Sequence, residues 1–315
     1  MSFSRGPSVV CLTLMALGAA VERPAAVERF AAYRQIRADG AYVDWFEGHA
    51  GILGRTRKYQ DLKVKPFLLE AQQAALTEGR LKLLNYLRTI PIDGTRRLGD
   101  DDALFGKIRT LLEKTPPGKS EVHLPYGVTV PIKVPLFGAQ GILGAVLGET
   151  SEGPPAAPAG EQDAEAPASD GPTGLVVDAS AVAGLVPALL PKIVDESGRV
   201  VYGPETADAR QALLRGVAGY ALRVEARQVQ PALNTREGER PLRVAAVGAA
   251  GPGSVWAVVS VADADRILKE AASSQFLRNC RVLILAPPAG LPKTPLRPVP
   301  SPRTPVGKPA PGKER

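Results

Sequence analysis

The spacing of apolar residues predicts two helices and a pair of strands in the first half of the chain. Between Leu68 and Arg88, Leu and Ala recur every three or four residues, which is helical spacing. A second helix is predicted to begin at Asp100–Asp102, because acidic side chains favour a helix N-terminus. Glu121–Val134 alternates apolar and polar residues like a strand pair. Pro131, which has no N–H group, is expected to lie at an edge.

The second half alternates predicted strands and helices in the order β-ββ-α-ββ-α-β. The predicted strands are Gly174–Ala179, a hairpin at Lys192–Tyr202, Leu242–Gly248, Val255–Val261 and Arg281–Leu285. The predicted helices are Glu205–Tyr220 and a helix capped by Asp263 that runs to about Ser273. This order predicts the α+β class, with two small domains that each pack helices on a mostly antiparallel sheet.

The first 20 residues have the pattern of a cleavable signal peptide. Arg5 supplies a positive charge, Val9–Leu17 form a short apolar run, and Gly18–Ala20 are small residues before the expected cleavage site. The apolar run is too short to span a bilayer as a stable helix. Cys11 is not preceded by a small residue, so a lipid anchor is not expected. We therefore expect a secreted protein of the periplasm or cell envelope.

Two changes in composition divide the rest of the chain. Residues 149–172 contain six acidic groups and no large apolar side chain, which predicts a disordered linker, because little surface can be buried to offset chain entropy. Residues 287–315 are basic and Pro-rich, which predicts an extended, disordered tail. The predicted division is a signal peptide at 1–20, a first domain at 21–148, the acidic linker at 149–172, a second domain at 173–286 and the tail at 287–315.

The net charge of +7 does not indicate a nucleic-acid-binding protein. The excess is spread over residues 21–148 and 287–315 and is interrupted by the acidic linker. A nucleic-acid-binding domain normally concentrates its charge on one folded surface. Aromatic residues make up only 5% of the chain, so few are present to stack on bases. Nucleic acid is therefore not an expected partner.

Residues 173–203 resemble a signature of bacterial envelope proteins related to the LPP-twenty lipoproteins and the flagellar assembly protein FlgT. The shared pattern is a Gly-Leu-Val-Val-Asp-Ala strand, a Pro-Ala-Leu segment and a hairpin that ends in Val-Tyr-Gly. The signature positions are Gly174, Asp178, Pro187, Ala188, Leu189, Pro191, Asp195, Gly198, Tyr202 and Gly203. The first domain is similar to the lipoprotein domain itself through Ile-Pro-Ile-Asp at 90–93 and Val-Pro-Leu at 134–136. The resemblance implies a non-enzymatic envelope protein.

No set of residues in the sequence predicts catalysis or a cofactor. Asp178 and Asp195 follow strands and precede turns, where Asp commonly accepts hydrogen bonds from the backbone, so we do not interpret them as an acid pair. His49 and His123 lie far apart, which argues against zinc, and Asp100–Asp102 is explained by helix capping rather than by calcium. Cys280 is interpreted as a small buried residue beside a strand.

Two glycine-rich segments allow simple interpretations. Gly248–Ser254 lacks the Gly-Lys-Ser/Thr of a phosphate loop and joins two predicted strands, so a hairpin loop is expected. Residues 137–148 carry four regularly spaced glycines. A close-packed helix face and a glycine-rich exit loop both fit that spacing, and the sequence does not choose between them.

The basic tail is a candidate for contact with an anionic surface. Its basic residues, spaced by prolines, are Lys293, Arg297, Arg303, Lys308, Lys313 and Arg315. They could bind lipid head groups or cell-wall polymer in a salt-sensitive way, or act only as a solubilising tail.

Together these features predict a non-catalytic envelope protein with a structural or assembly role, associated with a flagellum or the outer membrane. Its partners would be envelope proteins. The alternative is a periplasmic module that binds a cell-wall polymer or another anionic ligand. The oligomeric state is not predicted.

Overall fold

The computed structural model describes residues 29–56, 65–123, 127–148, 171–224 and 236–288, which contain two β-sheets and five α-helices. The first half contains β1 (Arg29–Ala32), β2 (Arg34–Ile36), β3 (Tyr42–Asp44), β4 (His49–Thr56), α1 (Lys65–Leu87), α2 (Asp102–Lys114), β5 (Glu121–His123), β6 (Gly127–Pro135) and α3 (Ile142–Leu147). The second half contains β7 (Gly174–Asp178), β8 (Lys192–Asp195), β9 (Val200–Tyr202), α4 (Ala209–Arg215), β10 (Gly219–Val224), β11 (Pro241–Ala250), β12 (Trp256–Val259), α5 (Val261–Ser274) and β13 (Val282–Leu285).

The smaller sheet is antiparallel and has the strand order β2-β3-β4-β6-β5. β5 pairs only with Gly127–Thr129, so Pro131 has a neighbouring strand on one side alone. On the other side, the N–H of Gly118 donates to the carbonyl of Pro131 at 2.8 Å. The missing N–H of proline therefore leaves no gap in the ladder.

Helix α1 packs across β4 and β6 through a contact between two glycines. A Cβ atom on Gly54 would lie 2.3 Å from the carbonyl oxygen of Ala75, and one on Gly79 would lie 2.9 Å from the Cα of Gly54. The close approach of helix and strand thus explains why a glycine stands at position 79, in the middle of α1. The helix also leaves Leu69 and Leu81 largely exposed, at 66% and 57% of their surface.

The larger sheet is mixed and has the strand order β1-β10-β13-β7-β11-β12-β8-β9. The pairs β10–β13, β13–β7, β7–β11 and β12–β8 are parallel. The pairs β1–β10, β11–β12 and β8–β9 are antiparallel. β11 is long enough to pair with β7 along Pro241–Ala245 and with β12 along Ala246–Ala250.

Residues from both sheets share one hydrophobic core. Trp45, next to β3, makes an edge-to-face contact with Tyr220 of β10 at a centroid distance of 5.6 Å. The N–H of Gly138 donates to the carbonyl of Leu213 at 2.7 Å. β1 precedes the smaller sheet in the chain but hydrogen-bonds in the larger one. The two predicted domains are therefore packed together in this fold.

The predicted α+β class is confirmed, and seven of the eleven strand pairings in the described ranges are antiparallel. The parallel strands of the larger sheet were not predicted. Each parallel pair joins two strands that are not consecutive in the chain, because a tight hairpin turn can only form an antiparallel pair. None of the helices in the described ranges is long and apolar enough to cross a membrane.

Most predicted elements are present, but two were placed wrongly. The predicted helix Glu205–Tyr220 ends at Arg215, because Gly216 adopts a φ of +77°, and Gly219–Val224 is strand β10. The cap of α5 is Ser260, whose hydroxyl accepts from the N–H of Asp263, so Asp263 is the third helical residue and not the cap. In addition, β1 to β4 occupy a region for which no strands were predicted.

Candidate functional site

The signature residue Asp195 organises the hairpin between β8 and β9. It is 1% exposed, and its Oδ1 accepts hydrogen bonds from the N–H and hydroxyl of Ser197 at 2.9 and 2.5 Å and from the N–H of Arg199 at 3.0 Å. Its Oδ2 accepts from Arg199 Nε at 2.8 Å. Burial opposes ionisation, but these hydrogen bonds outweigh it and lower the pKa of Asp195. Arg199 also donates to Asp265 on α5, so the carboxylate ties the hairpin to that helix.

Asp178 makes a similar arrangement at the end of β7. Its Oδ1 accepts from the N–H and hydroxyl of Ser180 at 3.0 and 2.6 Å, and its Oδ2 accepts from Arg223 at 2.7 Å. Burial is again outweighed, and the pKa of Asp178 is lowered. β7 and β8 are separated by β11 and β12, so three strand spacings, about 14 Å, lie between the two aspartates. The structure therefore does not bring them together as an acid pair.

The other signature residues form backbone turns and close contacts. A Cβ atom on Gly174 would lie 2.2 Å from the carbonyl oxygen of Glu237, and Gly198 has a φ of +86° in the β8–β9 turn. The hydroxyl of Tyr202, fully buried, donates to the carbonyl of Val217 at 2.6 Å. A Cβ atom on Gly203 would lie 2.7 Å from a carboxylate oxygen of Glu205. In each case the residue stabilises the fold of this half of the chain.

Pro187 and Pro191 flank a short segment that joins the two halves of the fold. The N–H of Ala188 donates to the hydroxyl of Tyr220 at 3.2 Å. The N–H groups of Leu189 and Leu190 donate to the carbonyls of Pro91 and Ile92, at 3.1 and 2.7 Å. This part of the signature therefore fixes the loop that follows α1 against the larger sheet.

A cleft of about 530 Å³ lies where that loop meets β8 and β12. We call it the Trp256 cleft. Its lining residues are Asp93, Gly94, Thr95, Arg96, Leu190, Lys192, Pro204, Glu205 and Trp256. Its volume falls within the range of small-molecule sites. It was not predicted from the sequence, because its residues come from segments far apart in the chain.

Two glycines make room for the indole ring of Trp256. A Cβ atom on Gly251 would lie 2.5 Å from the ring, and one on Gly94 would lie 3.1 Å from the indole Nε1. Gly251 also has a φ of +75°, which a residue with a side chain adopts only with strain. Lys192 Nζ lies 5.9 Å from the ring centroid. The ring is thus held in one position at the wall of the cleft.

The indole N–H of Trp256 is buried and has no hydrogen-bond partner among the described residues. Such groups are rare in folded proteins, because an unsatisfied buried donor costs about 1–3 kcal/mol. The ring of Trp256 is therefore packed in place at the cost of one unpaired donor.

The charged groups of the cleft form two ion pairs. Lys192 Nζ lies 2.5 Å from Glu205 Oε1, and Arg96 Nη2 lies 2.9 Å from Asp93 Oδ2. Burial alone would raise the pKa of Asp93, but hydrogen bonds from Thr95 and Arg96 outweigh it and bring the pKa to about 2. The hydrogen bond from Lys192 outweighs burial at Glu205 and lowers its pKa. At neutral pH the cleft therefore carries two positive and two negative groups.

A second cluster of buried polar groups surrounds Arg236. Its guanidinium donates to the carbonyls of Cys280 at 3.0 Å, of Arg215 at 2.7 Å and of Gly216. Burial raises the pKa of the nearby Cys280 thiol, and the side chain is fully enclosed. The prediction of a small buried cysteine is confirmed. Because these contacts satisfy carbonyls at the end of α4, the cluster stabilises the fold.

The other residues that were considered as metal ligands do not lie close together. His49 and His123 lie opposite Pro135 and Gly127 of β6, so about 26 Å of strand separates them. Asp101 caps α2 by accepting from the N–H groups of Ala103 and Leu104. Within the described parts of the chain, no three His, Cys, Asp or Glu side chains are grouped like metal ligands.

One glycine-rich segment forms a hairpin turn, and the other contains a short helix. β11 and β12 form the predicted antiparallel hairpin, so Gly248–Ser254 is not a phosphate loop. In the segment 137–148, Ile142–Leu147 form α3, with Gly141 and Gly148 at its two ends. Only Gly144 lies inside the helix, where a Cβ atom would lie 2.6 Å from the carbonyl of Ala139, so the segment combines a short helix with glycines in the flanking turns.

The predicted signal peptide and all six basic residues of the tail lie outside the described residues, as does nearly all of the acidic linker. At the junction with the tail, Ala286 and Pro287 are buried, and the N–H of Ala286 donates to the carbonyl of Ala221. The folded part therefore continues to Pro287.

Residues 174–288 match the family model described as Treponema pallidum Tp0624, second domain. The match covers just over a third of the chain and coincides closely with the predicted second domain. No curated protein matches the chain. The relation to the LPP-twenty lipoproteins and FlgT stays a prediction from the sequence.

Proposed function

We propose that this protein is a non-catalytic, exported cell-envelope protein with a structural or assembly role. The proposal rests on one observation: the signature residues hold the turns and strands of the fold in place. Asp178 and Asp195 are each bound by a serine and an arginine, and Tyr202 by a carbonyl. Side chains with these roles maintain the shape of the fold, which suits a protein that acts by binding other envelope proteins. The export pattern of residues 1–20 supports the location.

Fractionation of the native cell tests this proposal, together with mass spectrometry of the mature N-terminus. We expect a periplasmic or envelope-bound protein that begins near Val21. Substitution Leu14→Arg, which places a charge in the apolar run, should retain the protein in the cytoplasm, whereas Ser8→Thr outside the run should not. A cytoplasmic wild-type protein that keeps Met1 would refute the export, and normal motility and envelope integrity in a deletion strain would refute the assembly role.

A second candidate function is the binding of a cell-wall polymer or another anionic ligand. The Trp256 cleft supports the binding of a polymer segment, and the six basic residues of the tail support the binding of an anionic ligand. Retention of the purified protein on peptidoglycan tests it. We expect retention that weakens as salt rises, and weaker retention at low salt when the chain ends at Pro288. Equal retention with and without residues 289–315 would exclude the tail as the contact.

A further inference from the structure

We propose that the Trp256 cleft binds a short, neutral oligosaccharide. This inference deepens the second candidate function, on which it rests, by naming the ligand class and the residues that contact it. The first argument is the combination of groups at one wall. Trp256 offers an aromatic ring at the lining of the cleft, and Lys192 Nζ lies 5.9 Å from the centroid of that ring. Sugar rings pack their C–H faces on aromatic rings while their hydroxyl groups donate and accept hydrogen bonds.

The second argument is the balance of charge. Asp93 keeps its negative charge to low pH and already pairs with Arg96, and Glu205 pairs with Lys192. An anion would have to displace one of these carboxylates, and a cation would have to displace a base. A hydroxyl group can instead donate to a carboxylate and accept from its basic partner, so both pairs are kept. The cleft therefore favours a neutral polyhydroxyl ligand over a charged one.

The third argument is that the cleft is formed in advance. One wall of the cleft is the turn Asp93–Arg96. This turn is closed by a hydrogen bond from the N–H of Ile92 to the carbonyl of Arg96 at 2.8 Å. The same loop is bound to Leu190, and Trp256 is fixed between Gly94 and Gly251. Groups held in position before binding lose little entropy when a ligand arrives. A rigid cleft with one aromatic wall and two ion pairs fits a sugar better than a flexible peptide.

The test is titration of the full-length protein with the tetramer of N-acetylglucosamine. Binding is followed by calorimetry and by tryptophan fluorescence. The chain has two tryptophans, and Trp45 is 1% exposed in the core, so a change in emission reports Trp256. We expect saturable binding that Lys192→Met and Trp256→Ala each weaken by at least about tenfold.

The matched control is Lys82→Met. Lys82 forms a similar ion pair with Glu78, at 2.7 Å, on α1 and away from the cleft. The affinity of the Lys82→Met variant for the tetramer should lie within about twofold of that of the wild type. If Trp256→Ala does not fold, Lys192→Met and Glu205→Gln test the same cleft, because both residues are partly exposed.

Three results would overturn the proposal. The first is no heat and no emission change up to about 5 mM tetramer. The second is binding by the cleft variants that equals that of the wild type. The third is tighter binding of inorganic pyrophosphate than of the tetramer, because that would show an anion site. If the tetramer fails while the protein is still retained on peptidoglycan, only the cleft is excluded; if both fail, the polymer-binding function is excluded as well.

Discussion

Substitution of Asp195 should destabilise the fold more than the same substitution of Asp178. The two carboxylates have the same kinds of partner: a serine two residues later, which binds through its N–H and hydroxyl, and one arginine. They differ in burial, since the side chain of Asp195 is 1% exposed and that of Asp178 is 28% exposed. Asp195 also accepts a further backbone N–H, from Arg199.

The magnitude follows from these contacts. A hydrogen bond to a charged group contributes about 1.5–3 kcal/mol, and removal of one partner leaves the others unsatisfied. The ion pair with Arg199 adds little, because the arginine is 44% exposed and screened by solvent. We therefore expect Asp195→Ala to lower the free energy of unfolding by about 2–4 kcal/mol. For Asp178→Ala, where water can replace the carboxylate, about 1–2 kcal/mol is expected.

Urea denaturation followed by tryptophan fluorescence measures both values at pH 7. The pH dependence adds a check on mechanism. The pKa of Asp195 is lowered from 3.8 in the folded state, so its ionised form contributes stability above that pH. The difference between wild type and Asp195→Asn should be full at pH 7 and shrink as the pH falls below about 4. Equal destabilisation by the two alanine variants, or a difference that does not change with pH, would refute the reasoning.

Three further predictions concern the second half of the chain. Tyr202→Phe removes the donor to the carbonyl of Val217 and should cost about 1–2 kcal/mol in urea denaturation, with no change in far-UV circular dichroism; an unchanged midpoint would contradict it. Ser260→Ala should cost about 0.5–2 kcal/mol by removing the cap of α5, and Ser260→Asp, which can also cap, should restore most of it. Cys280, fully buried and with a raised pKa, should react with a thiol reagent only after unfolding, and fast labelling of the native protein would show that it is accessible.

Sequence periodicity predicted the elements whose signal is local. Helix α1 and the β8–β9 hairpin were predicted because their apolar spacing and turn residues lie within one short segment. The strands β2 and β3 were missed because each has three residues, too few to show alternation, and they form only by pairing with β4. Their existence depends on the sheet and not on their own sequence.

The strand β10 shows how tertiary pairing overrides helical spacing. Leu213 and Val217 are four residues apart and suggested that the helix continues to Tyr220. Gly216 adopts a positive φ that ends the helix, and the following residues pair with β1 and β13. Neither partner is adjacent in sequence. The Trp256 cleft was missed for the same reason, since its walls meet only when the loop after α1 packs against the larger sheet.

The segment that matches the family model does not pack as a separate domain in this chain. The match begins at residue 174, so it excludes β1, which covers one edge of β10, and it excludes Trp45, which covers Tyr220. The backbone of Leu189 and Leu190 also finds its acceptors outside the match, in the loop after α1. Buried donors that lose their partners and apolar rings that lose their cover both cost stability. The first half of this chain therefore completes the fold of the matched segment, and the Trp256 cleft exists only where the two are joined.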